Sequence, residues 1–119
     1  MSPLRLLVII AVLVGAWKLW PREAAALHPD DPRNATGDDR IVMLAAEWCG
    51  YCRKQQKAFE LSEVRYRVID IDTEAGQRAM RALRARGVPT TVVGQDVVYG
   101  YDTEGLQQKL EPLGYRDVF

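Results

Sequence analysis

The chain has 119 residues with 16 basic and 16 acidic side chains, one histidine and 48% apolar residues. That length supports one small domain and little else. A formal net charge of zero, with no stretch interleaving basic and aromatic residues, argues against nucleic acid as a partner.

The apolar residues are unevenly spread. Residues 6–17, LLVIIAVLVGAW, carry no charge and lie between Arg5 and Lys18. Three readings compete: an uncleaved membrane anchor over residues 1–20, an export signal cut near the small residues Ala24 to Ala26, and a buried helix. The run from Leu4 to Trp20 is about 17 residues, near the lower limit for a span. Arg5 and Lys18 can snorkel to the two interfaces, and Trp17 and Trp20 suit the headgroup belt. The anchor is the expectation carried forward. It implies a single-pass protein of the inner (cytoplasmic) membrane, with the membrane as a partner and the remaining chain facing the periplasm or exterior. Residues 21–38, PREAAALHPDDPRNATGD, contain three prolines and read as a flexible linker. His28, the only histidine, reads as a solvated residue within it.

A folded domain is expected over 39–119. RIVMLAA (40–46) is a short apolar strand that runs into AEWCGYCRK. YCRKQQKAFELS (51–62) has Cys52 and Phe59 on one helical face. VRYRVIDID (64–72) reads as a strand covered on both faces. Asp72 or Thr73 can cap a helix reaching about Arg86, with Ala75, Ala79, Met80 and Leu83 inward and Gly87 as terminator. VPTTVV (88–93) and DVVYG (96–100) flank Gly94-Gln95 as a hairpin. Asp102 caps a last helix over 102–114. Strand–helix–strand needs a right-handed crossover and a parallel pair, and the hairpin adds an antiparallel edge. The expected class is α/β: a mixed four-stranded sheet with helices on both faces, preceded by one N-terminal hydrophobic helix.

The two cysteines, Cys49 and Cys52, carry the chemistry. Cys-x-x-Cys is half of a zinc site, and no further cysteine exists to complete it, so no metal is expected. A purely structural disulfide would close so small a loop that it constrains little of the unfolded chain. A redox pair fits their placement best. Cys49 falls at a helix N-terminus, where free N–H groups and the helix dipole favour a thiolate. Cys49 is therefore expected to attack and Cys52, one turn on, to resolve. Arg53 and Lys54 can add positive field. In GVPT (87–90), Pro89 opens a strand, a position that tolerates a missing N–H. With a cis Val88–Pro89 bond, the Val88 backbone can face the cysteines and pair with an extended substrate chain. Trp48 and Tyr51 are expected to touch substrate. Arg78, Arg81, Arg84 and Arg86 read as a solvated, salt-bridged face.

Over about residues 40–112 the sequence resembles the thioredoxin-like superfamily. AEWCGYCRK looks like the thioredoxin active-site segment, and GVPTTVVGQDVVYGYDTEGL looks like the C-terminal half of a glutaredoxin. The resemblance implies the fold above, with Cys49 as nucleophile, Cys52 as resolving thiol and Pro89 as a cis proline. Met43 stands where thioredoxins bury an aspartate, and Lys57 where they place a helix-kinking proline. Ala46 stands where glutaredoxins keep a lysine that meets glutathione. Asp102 and Thr103 match the place where a glutathione γ-glutamyl end would bind, and they also fit a plain helix cap. The function this implies is a membrane-tethered thiol–disulfide oxidoreductase acting on protein disulfides, with a membrane or soluble electron donor or acceptor. No cofactor is expected beyond glutathione as a possible co-substrate. A glutathione-dependent glutaredoxin and a non-enzymatic redox-sensing binding module are the alternatives.

Overall fold

The computed structural model describes residues 2–19 and 26–119. Its elements run α1 (Pro3–Leu19), α2 (Arg33–Thr36), β1 (Ile41–Ala45), α3 (Gly50–Leu61), β2 (Arg67–Asp70), α4 (Glu74–Ala82), β3 (Thr90–Val93), β4 (Asp96–Tyr99) and α5 (Thr103–Leu110), with a 3-10 turn over Glu111–Leu113. The strands lie in the order β2-β1-β3-β4. β1 pairs with β2 in parallel, and the other two pairings are antiparallel.

Every residue of β1 and β3 is buried, so the sheet is covered on both faces at its centre. Two hydrogen bonds say by what. Gln55 Nε2 on α3 donates to Thr91 Oγ1 at 2.6 Å, and Tyr99 Oη on β4 donates to the Leu83 carbonyl beyond α4 at 2.7 Å. Thr91 lies opposite Val98, whereas Tyr99 lies opposite Thr90. Side chains alternate faces along a strand, so α3 and α4 sit on opposite sides. α5 joins α3. Val118 N–H donates to Gln107 Oε1 on α5 at 3.0 Å, and Phe119 meets Phe59 of α3 edge-on at 6.1 Å. Met43, Leu44, Phe59, Leu106 and Leu110 are fully buried between these layers. Each such side chain contributes about 1.5–3 kcal/mol.

The helix boundaries have local causes. Thr73 caps α4, its Oγ1 accepting the Gly76 N–H at 3.0 Å. Gly76 has to be glycine, because an added Cβ would lie 2.6 Å from Ile71 Cα and against the Asp70 carbonyl. α4 stops at Ala82, short of the expected Arg86. Arg84 takes a left-handed φ of 54°, and the Ala85 N–H reaches back to the Met80 carbonyl at 2.9 Å. That six-residue closure satisfies the last carbonyls without a glycine. It recurs after α3, through Glu63 and the Val64 N–H to the Phe59 carbonyl. Ala75 is exposed, and Gly76 takes its expected inward place. Arg78 reaches Asp30 at 3.7 Å and Glu74 at 3.8 Å, on an exposed salt-bridged face.

Three further expectations are corrected. First, β2 is an edge strand, not one covered on both faces: Arg67, Val68 and Asp70 are exposed. Its arginine and terminal aspartate keep that edge polar, a common way of blunting it. Second, residues 31–38 are not a flexible linker. Thr36 is fully buried and its Oγ1 donates to the Gly94 carbonyl in the β3–β4 turn. Gln95 Nε2 donates to the Arg33 and Gly37 carbonyls at 3.0 and 2.7 Å. Asp31 is buried with its carboxylate on the Arg33 guanidinium at 2.7 Å. That hydrogen bond holds the Asp31 carboxyl below the usual carboxylate range. Gly94 takes a φ of 60°, and a Cβ there would fall 2.6 Å from the Asp38 carbonyl oxygen.

The third correction concerns the membrane. α1 has 17 residues. At about 1.5 Å per residue that is about 25 Å, short of the hydrocarbon core of about 30 Å. Among the described residues no helix is long and apolar enough to cross a membrane. This overturns the single-pass anchor and the inner-membrane, periplasm-facing location, and it leaves the membrane unsupported as a partner. Trp20, Pro21 and the start of the expected signal-cleavage stretch lie outside the described residues.

Candidate active site

β1 delivers the chain to the site. After Ala45 a tight turn closes, with the Cys49 N–H donating to the Ala46 carbonyl at 3.1 Å. Cys49 then takes an extended conformation, φ −89° and ψ 110°, as the N-cap of α3. Its sulfur does what a serine or aspartate oxygen does at that position: it accepts the Cys52 N–H, at 3.1 Å. Cys49 and Cys52 are joined as a disulfide, with their Cα atoms 5.2 Å apart. Cys49 retains 7% exposure and Cys52 none. An incoming sulfur can therefore reach only the first of the two.

The second wall comes from β3. β1 and β3 are antiparallel with Leu44 opposite Thr90, so the end of β1 lies beside the start of β3. This brings Val88, distant in sequence, to the cysteines: its carbonyl oxygen is 3.7 Å from Cys49 Sγ. The Val88–Pro89 bond is cis, as expected. Pro89 is buried, and the segment is fixed on both sides. Thr90 Oγ1 donates to the Gly87 carbonyl at 2.8 Å, and the Gly100 N–H donates to the Pro89 carbonyl at 2.8 Å. Val88 is half-buried, and its own backbone groups take no backbone partner among the described residues.

Trp48 and Tyr51 flank the disulfide and are 67% and 60% exposed. Trp48 is not free to swing, because its Nε1–H donates to Asp72 Oδ2 at 3.1 Å. Tyr51 stacks on Tyr101 at 5.4 Å, with Lys54 Nζ 5.7 Å above its ring. The Arg53 guanidinium donates to the Glu47 carbonyl at 2.5 Å. Arg53 and Lys54 thus have other partners, and the direct contact at Cys49 Sγ is the α3 backbone amide. Tyr101 carries the site towards α5, where Asp102 Oδ1 accepts the Gly105 N–H at 2.9 Å and caps the helix. Thr103 is the first residue of α5. Ala46 is 6% exposed and is the first residue of the turn that closes on Cys49. No group of three or more histidine, cysteine or acidic side chains suited to a metal exists among the described residues.

Two features escaped the sequence reading. Tyr101 joins the site only because Tyr51 stacks on it, a contact that sequence distance hides. Gln55 was legible: residues 52, 55 and 59 share one helical face, so a glutamine lies on the inner side of α3 directly beyond Cys52.

Comparison with known proteins agrees with this geometry. Residues 41–98 match the family profile described as glutaredoxin. No curated protein sequence matches the chain. Among solved structures, the thioredoxin-like protein BC3987 is 26% identical with a TM-score of 0.55, covering 60% of this chain and all of that one. Buckwheat glutaredoxin, solved in a complex with glutathione, is 24% identical with a TM-score of 0.55, covering 68% of this chain and 78% of that one. The NrdH-redoxin of Escherichia coli, a glutaredoxin-like protein described as having a thioredoxin-like activity profile, is 21% identical. Its TM-score is 0.53, and the match covers 58% of this chain and 92% of that one. The fold of residues 41–119 is thioredoxin-like.

Proposed function

We propose that this chain, which is a thioredoxin-like thiol–disulfide oxidoreductase, exchanges disulfides with protein substrates through Cys49 and Cys52. One observation carries the reading. Cys49 Sγ sits on a helix-terminal amide and beside the Val88 carbonyl, while Cys52 is wholly buried.

In the reduced protein the Cys52 amide and the end of α3 favour the Cys49 thiolate. That thiolate attacks one sulfur of a substrate disulfide. A mixed disulfide forms, and the second substrate sulfur leaves as a thiolate that takes a proton from water. Cys52 then gives up its proton and attacks Cys49 Sγ. The Cys49–Cys52 bond forms, the first substrate sulfur leaves, and two electrons have passed to the substrate. The reverse sequence oxidises a substrate dithiol. Direction follows the reduction potential of the pair against that of its partner.

An extended substrate segment pairs its backbone with the unused groups of Val88, over Pro89, with Trp48 and Tyr51 on either side. Two features favour protein over glutathione as the usual substrate. Ala46 offers no cation for a glycine carboxylate, and the Asp102 carboxylate is engaged in capping α5.

Trapping tests the assignment. Cys52→Ser, incubated with a disulfide-bonded protein substrate, should accumulate a mixed disulfide through Cys49, resolved by non-reducing electrophoresis and mass spectrometry. Cys49→Ser should trap almost none, since the remaining thiol is buried. Equal trapping by the two variants overturns the division of roles between attacking and resolving thiol.

A further inference from the structure

Among the described residues, one buried side-chain polar atom has no hydrogen-bond partner. Gln55 is fully buried on the inner face of α3, and its Nε2 donates to Thr91 Oγ1 at 2.6 Å. Its Oε1 is equally buried and meets no donor. An orphaned carbonyl oxygen in a core is costly, and such an atom calls for an explanation.

The location supplies one. Cys52, Gln55 and Phe59 are the buried residues of α3, so Gln55 lies one turn beyond Cys52 on the same face. Long side chains on a helix lean back over the preceding turn. That direction takes the Gln55 side chain back over the turn that holds Cys52. Thr91 holds the amide from the other side, two residues past Pro89 and across from Met43. Both partners of the polar pair are buried in an otherwise apolar layer containing Met43, Phe59 and Val98.

In the disulfide, Cys52 Sγ carries no proton and can donate nothing. Reduction changes that. Two thiols reduce the Cys49–Cys52 bond, the thiol sulfurs becoming a disulfide, and the sulfur of Cys52 ends as S–H, a buried donor one helical turn from the residue that carries the unsatisfied acceptor.

We propose that Gln55 is a positioning residue specific to the reduced state: its Oε1 accepts the Cys52 thiol proton and thereby stabilises the dithiol over the disulfide. The oxidised form bears an unpaired carbonyl that the reduced form pairs. Gln55 thus raises the reduction potential of the pair and makes the protein a stronger oxidant, or a weaker reductant, than an apolar residue there would. It also aims the Cys52 sulfur within its pocket. The proposal rests on Cys49–Cys52 being the working pair.

The test compares native protein with Gln55→Met, which keeps the length of the side chain and removes both polar atoms, and with Gln55→Glu, which restores an acceptor. Each is equilibrated in mixtures of reduced and oxidised dithiothreitol, and the dithiol fraction is read by alkylation and mass spectrometry. Gln55→Met should shift the equilibrium towards the disulfide about tenfold, which is about 30 mV for a two-electron couple. Thermal unfolding should show the same asymmetry, with the reduced form losing more stability than the oxidised one. Gln55→Glu should return the potential towards, or beyond, the native value. A residue that merely fills space would destabilise both forms equally and leave the potential unmoved; so would an internal water that satisfies Oε1 in both states. Either result, or a shift in the opposite direction, overturns the proposal while leaving the catalytic pair intact. A native protein with no reversible dithiol–disulfide equilibrium overturns both.

Discussion

Replacing Thr36 by valine tests whether residues 31–38 belong to the domain. Thr36 is fully buried, so the two side chains occupy nearly the same space and no cavity opens. What is lost is one donor. The Gly94 carbonyl that takes the Thr36 hydroxyl is also buried, in a turn whose N–H is engaged by the Arg40 carbonyl at 2.9 Å. Leaving that oxygen unpaired costs about 1–3 kcal/mol. In a domain of this size each kcal/mol moves the melting temperature by about 4–8 °C, so the expected fall is about 4–24 °C. Thr36→Ser keeps the donor and removes one methyl, and should cost only about 1 kcal/mol. The assay is thermal unfolding of the oxidised protein followed by far-ultraviolet circular dichroism. Disulfide exchange below the transition should be unchanged, because Thr36 is remote from Cys49 along β1. A melting temperature within a degree or two of native for Thr36→Val would refute the reasoning and return these residues to the status of a tether.

Asp31→Asn should be destabilising by about 1.5–3 kcal/mol near neutral pH, as a charge-assisted bond to Arg33 is lost. The Asp31 carboxyl is depressed in the folded state. Its contribution is therefore complete above the unfolded pKa of about 3.9 and disappears as pH falls through the folded value. Urea unfolding at pH 7 and pH 3 reads this, and an equal difference at both would contradict it. Asp102→Ala removes the α5 cap and should cost about 0.5–2 kcal/mol, measured the same way; no loss would mean the cap bond is idle. Ala46→Lys should tighten glutathione binding about tenfold, the lower end for a charge-assisted contact, because its stem must emerge from a buried position. The rate of deglutathionylation measures it, and a native protein already fast in that reaction would defeat the preference for protein substrates.

The parts of this molecule that sequence made legible are those with short-range causes. Cys49 at the mouth of a helix follows from an apolar strand running into a polar, amphipathic segment. The hairpin at Gly94-Gln95 and the caps Thr73 and Asp102 follow from side-chain chemistry a few residues wide. What stayed hidden depends on tertiary neighbours. Val64 to Asp72 reads as an interior strand because its apolar residues are dense, and only the strand order puts β2 at the edge. Pro29, Pro32 and Gly37 looked like a tether, yet the acceptor for Thr36 lies across the hairpin. The flanking tryptophan and basic residues suit membrane interfaces, but they do not make up for the turns that the 17-residue α1 lacks.

The register between β1 and β3 has a consequence for how the molecule can change. Cys49 and Val88 meet because Leu44 and Thr90 are opposite each other, not because of anything in the chain between them. The excursion from residue 62 to residue 87, comprising β2, α4 and their loops, bears on the sulfur-to-carbonyl spacing only through the packing it provides. Lengthening its exposed turns adds a closure entropy that grows only with the logarithm of loop length. Insertions at the exposed residues Arg65 or Arg86, outside the closing bonds of α3 and α4, should thus be absorbed far more readily than a one-residue change within 41–48. Recognition surfaces can be grafted or diversified along that excursion while the exchange centre keeps its dimensions.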